Sequence, residues 1–113
     1  MIPELELSPS VASDLTVRNS VETSTLVLQD VIKNSPRQLH VRWDRPVDQR
    51  YREFVTIEMS DGESSASDTL RIDDLDSISK LRLRFSRLYG DFLAKRSQLL
   101  LQPVGGADGA ELQ

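Results

Sequence analysis

Four stretches of this sequence predict an α+β fold: a small antiparallel meander of about three strands, with a helix before it and a helix packed after it. Gln38–Trp43 and Phe54–Met59 alternate apolar and polar residues with the period of a half-buried strand. Ser20–Asn34 places Val21, Leu28, Val31 and Ile32 on one helical face. Lys80–Gln102 holds most of the large apolar side chains and six of the fourteen basic residues, so its conformation decides what the rest packs against.

Residues 1–19 are rich in serine, proline and acid and read as a flexible arm. Leu5 and Leu7 alternate within it, a pattern that also suits pairing with a sheet edge. A single domain then spans 20–102. Asn19 or Ser20 serves as the N-cap of the first helix, and Asn34-Ser35-Pro36 closes it, because the residue before proline avoids helical geometry. The run Thr23–Leu28 is also good strand material, and helix is preferred on its periodicity. Leu39, Val41 and Trp43 define the inner face of the first strand. Asp44–Asp48 supplies turn chemistry, and Val55, Ile57 and Met59 line the inner face of the second strand. The acidic, serine-rich linker from Glu63 to Ser79 has room for a brief strand or a mobile loop. Residues 103–113 form a Gly- and Ala-rich flexible tail.

Two readings compete for Lys80–Gln102. Leu81, Leu83 and Phe85 alternate with Arg82, Arg84 and Ser86, which makes a third strand to about Tyr89, followed by a helix from Asp91 capped by Gly90 or Asp91. Alternatively Ile78, Leu81, Phe85, Leu88, Phe92 and Leu99 follow heptad spacing on one continuous helix. Glycine within a helix costs about 1 kcal/mol relative to alanine, and Leu83 falls away from that heptad seam, so strand followed by helix is preferred.

The chain has 113 residues, a net charge of −4 and no cysteine. Its length supports one small domain, and the absence of thiols excludes disulfides and Cys-ligated metal. No apolar run reaches the roughly eighteen residues of a membrane span, which predicts a soluble cytoplasmic protein. The acidic balance disfavours nucleic acid as a partner. Charge is nevertheless segregated: Asp61–Asp76 carries six acids against Arg71, and Lys80–Arg96 carries six bases against Asp91. Those two segments either neutralise each other across the fold or leave a basic face.

Enzymatic chemistry has little to stand on. The one histidine, His40, lies on the polar side of a strand and reads as an ordinary surface residue. No HExxH, phosphate loop or GxSxG elbow occurs, and Gly105, Gly106 and Gly109 precede no helix. Asp73, Asp74 and Asp76 lack the glycine and distal glutamate of a calcium loop. No cofactor or metal is expected. Arginines at 82 and 84 would share the polar face of a strand, where they either bind phosphate or a partner's carboxylates or pair with Glu53 and Glu58.

Ser86-Arg87-Leu88-Tyr89-Gly90-Asp91-Phe92 resembles the motif that closes the third strand and opens the first helix of phox-homology (PX) domains. Leu39–Pro46 and Arg52–Met59 loosely resemble that family's first two strands. The resemblance implies a partial, divergent member with Arg87 at a basic position of the motif and Tyr89 as the aromatic beside an inositol ring. Leu88 replaces the phosphate-gripping arginine, so protein binding is implied ahead of phosphoinositide binding. The functional expectation is a non-enzymatic, PX-like adaptor in membrane trafficking, cytoplasmic or peripheral on endosomal membrane. Its candidate contacts are Arg82, Arg84, Arg87, Tyr89 and Lys95. The alternative is a small self-associating structural, chaperone or assembly subunit, a homo-oligomer in which residues 76–101 form one amphipathic helix packed on a second copy.

Overall fold

The computed structural model describes residues 3–33, 35 and 38–101. Four strands form one mixed sheet in the order β1 (Glu4–Leu7), β2 (His40–Asp44), β3 (Phe54–Ser60) and β4 (Ser65–Arg71). Three helices, α1 (Pro9–Ala12), α2 (Leu15–Val31) and α3 (Ile78–Leu101), accompany it. The α+β class therefore holds, with a helix before the meander and a helix packed after it.

The N-terminal segment is the first departure from expectation. Instead of a loose arm, Glu4–Leu7 pairs in parallel with β2, Leu5 opposite Val41 and Leu7 opposite Trp43. A parallel neighbour needs a long crossover, and α1 with α2 supply it. The alternation at Leu5 and Leu7 was the signal: both are partly buried against the core. Helix α2 begins five residues before Ser20, because Asp14 caps it by accepting a hydrogen bond from the Val17 amide at 3.3 Å. Val17, Val21, Leu28 and Ile32 are buried, while Val31 is only partly so. Of the proposed closing residues, Asn34 and Pro36 lie outside the described residues, as do Gln102 and the proposed tail 103–113.

Strands β2 and β3 pair antiparallel as the alternation requires, Val41 opposite Met59 and Trp43 opposite Ile57. The third strand of the meander comes from the acidic linker. Ser65–Arg71 pairs antiparallel with β3 after a turn in which Gly62 takes φ +92°, a conformation that L side chains rarely adopt. A short 3-10 turn, Ile72–Asp76, leads into α3.

The proposed third strand from Lys80 to Tyr89 is wrong. Residues 78–101 form one helix, with Leu81, Phe85, Leu88 and Phe92 as its buried seam. That seam packs on the same chain's sheet and not on a second copy; Phe85 meets Trp43 edge-on, with ring centroids 6.0 Å apart. Burial of four large side chains outweighs one exposed glycine, since such a side chain contributes about 1.5–3 kcal/mol against about 1 kcal/mol for Gly90. Leu83, off the seam, is 61% exposed.

Helices cover one sheet face only. The other carries Glu4, Glu6, His40, Arg42, Asp44, Thr56, Glu58, Ser67 and Thr69, with Phe54 and Arg71 at its edge, as the strand registers require. Such a polar face is usual for an antiparallel sheet solvated on one side.

Candidate interaction surface

The five residues proposed as a binding cluster are distributed around α3. Arg82 and Arg84 are two positions apart, about 200° around a helix, so they leave it in opposite directions. Arg82 reaches α2, where its guanidinium donates to Asp30 at 2.7 Å and holds that carboxyl below its ordinary value. Arg84 reaches β4 and grips both oxygens of Asp68, at 2.9 and 3.0 Å, and the Thr69 carbonyl at 2.9 Å. The hydrogen bond to Asp68 raises the pKa of Arg84. Lys95 donates to the Ser65 carbonyl at 3.2 Å. Tyr89 stacks on Phe92 with an interplanar angle of 11°. Arg87 is exposed.

The expected pairing with Glu53 and Glu58 is replaced by Asp30 and Asp68, because helical geometry turns the two arginines toward α2 and β4. Lys80 with Asp74 and Arg96 with Asp61 complete a series that joins the basic helix to the acidic segment before it. Neutralisation across the fold is thus what much of the segregated charge does. A small cleft of about 100 Å³ brings Arg84 and Arg87 together, but Asp68 and Asp91 share it, so an incoming phosphate would meet two carboxylates. Ser86–Phe92, which resembles a strand-to-helix junction, lies wholly within α3.

On the open sheet face a broad depression of about 450 Å³ is lined by Arg42, Asp44, Thr56, Ile57, Glu58 and Ser67. Its arginine is already shared between Glu6 at 3.8 Å and Asp44 at 3.5 Å. His40 sits between Glu4 and Glu6, 3.4 and 2.8 Å from their carboxylates, and ties β1 to β2. The histidine is therefore engaged in the sheet's polar network. Among the described residues no group of His, Cys, Asp and Glu could hold a metal ion.

Apolar exposure occurs at Val47 and Tyr51 beside the open sheet face, where Pro46, Tyr51 and Phe54 line a shallow depression, and on the helical side. Beyond Arg96 the seam of α3 continues to Leu99, 45% exposed, and Leu100 and Leu101 follow at 67% and 81%. At the opposite end of α3 a groove of about 290 Å³ lies between the helices. Thr23, Leu26 and Val27 of α2 form one wall; Leu75, Ile78 and Leu81 form the other. Its floor is fixed by buried Ser24, whose hydroxyl lies 2.8 Å from the Ser20 carbonyl and 3.1 Å from that of Leu75. Leu26 and Ile78 on the rim are 67% and 61% exposed.

The sequence reading missed this groove. Its signal was Leu26, an aliphatic residue well off the stripe of Val21, Leu28 and Ile32, just as Leu83 falls off the seam of α3. A scan of known protein families finds none that matches this chain, and a search of curated proteins finds no significant match. No helix among the described residues is long and apolar enough to cross a membrane.

Proposed function

We propose that this chain is a non-catalytic assembly subunit that holds another protein through the end of α3. One observation carries the reading: the heptad stripe continues past the last contact with the sheet among the described residues, at Lys95 and Arg96, into exposed Leu99, with exposed Leu100 beside it. Helix-in-groove recognition uses apolar anchors of this kind. The polar groups that would serve a phosphoinositide adaptor, Arg82 and Arg84, are committed to carboxylates of their own chain. Protein binding, the part of the adaptor expectation placed ahead of lipid, is retained.

The test is in-cell photo-crosslinking with a photoreactive residue at position 100 and, as a control, at Glu58 on the open sheet face. Protein adducts at position 100 and not at 58 are the expected result. Equal labelling at both positions, or adducts to lipid alone, would overturn the reading.

A further inference from the structure

We infer that the partner of the α3 end is a second copy of this chain, docked head to tail, with Leu99 and Leu100 of one copy seated in the groove between α2 and α3 of the next. This rests on the assembly reading above and names its partner. The two apolar surfaces lie at opposite ends of one helix: Ile78 and Leu100 are separated by about 33 Å at 1.5 Å per residue. A straight helix cannot bring its own end into its own groove, so the two can meet only between copies.

Shape and charge both match. The groove is walled by aliphatic side chains and large enough for branched aliphatic ones. Asp76 borders it and has no ion pair among the described residues, while exposed Lys95, one turn before Leu99, touches only the Ser65 carbonyl there. The carbonyl end of one α3 also approaches the amide end of the next, where the helix dipoles attract. A contact between two different patches is heterologous, and repetition gives a ring or an open filament instead of a closed dimer. The patches are small, so association is expected to be weak and concentration-dependent.

Sedimentation velocity of the purified full chain tests this with Leu26→Asp in the groove and Leu100→Asp on the helix end. Both positions are 67% exposed, so circular dichroism is expected to show both variants folded. The wild type is expected to form species larger than a dimer as concentration rises, and each variant alone to remain monomeric. An equimolar mixture of the two variants retains one intact groove and one intact end, and is expected to form dimers that grow no further. A wild type monomeric at every concentration would overturn the inference, as would a Leu26→Asp variant that associates normally. Crosslinks from position 100 to a different protein would then leave the assembly reading standing without the second copy. Absence of protein crosslinks would remove both.

Discussion

Helix α3 carries one apolar pattern and puts it to two uses. From Leu81 to Phe92 every seam residue is buried against the chain's own sheet; at Leu99 the same spacing continues, but the residue is 45% exposed among the described residues. The cause is length. Twenty-four helical residues span about 36 Å, whereas the seven residues of β4 span about 23 Å. Periodicity tells which face of a helix is apolar, but the size of the facing element decides how much of that face becomes core.

The sharpest way to break this comparison is to truncate the same kind of side chain in each half. Phe85→Ala should lower the unfolding free energy by about 3–5 kcal/mol in urea titrations, whereas Leu100→Ala should change it by less than about 0.5 kcal/mol. Comparable losses would place the helix end in the core. The boundary is marked by Arg96, 3.3 Å from Asp61, with side chains 13% and 1% exposed. Asp61 also accepts hydrogen bonds from the Glu63 and Ser64 amides, which shape the β3–β4 turn. Arg96→Met should cost about 2–3 kcal/mol, because it removes the guanidinium that faces a buried carboxylate. A loss below about 0.5 kcal/mol would mean that the turn holds without it.

Gly90 sharpens the comparison from the opposite side. A Cβ there would meet no heavy atom within 4 Å. Gly90→Ala should therefore stabilise the monomer by about 1 kcal/mol, read as a higher thermal midpoint. A lower midpoint would contradict the continuous helix.

The smallest effect is expected at Asp30. Its carboxyl is held below the reference value of 3.8 by the hydrogen bond from Arg82. A folded value below the unfolded one means that the stabilisation is present above about pH 3.8 and is lost as pH falls through the folded value. Carboxyl NMR should show Asp30 titrating lower in the wild type than in Arg82→Ala. Identical titrations would show that the pair does not form in solution.

Much of the fold was legible because strand alternation is local. Val41, Trp43, Val55, Ile57 and Met59 announce their faces without reference to anything distant. Lys80–Phe85 was not legible in the same way, since Leu-Arg-Leu-Arg-Phe satisfies a strand period over five residues while Leu81 and Phe85 also begin a helical spacing that runs on to Phe92. Only packing across from Trp43 separates them. The strand in Ser65–Arg71 was obscured by its serines and Asp68, which face solvent or Arg84, leaving Leu70 as its one large buried residue. The candidate surface was half legible. Leu99 belonged to the heptad, but the groove needs Leu26 and Ile78 brought together from two helices, a tertiary fact with no sequence spacing of its own.

The most direct test is residue-resolved hydrogen exchange of the full chain at low and high concentration. The division of α3 predicts amides at 85–92 that are strongly protected and indifferent to concentration, with amides at 98–101 exchanging rapidly when dilute and slowing as the chain associates. Protection at 98–101 that is already complete at high dilution, or that never rises with concentration, would contradict a helix end reserved for docking a second copy.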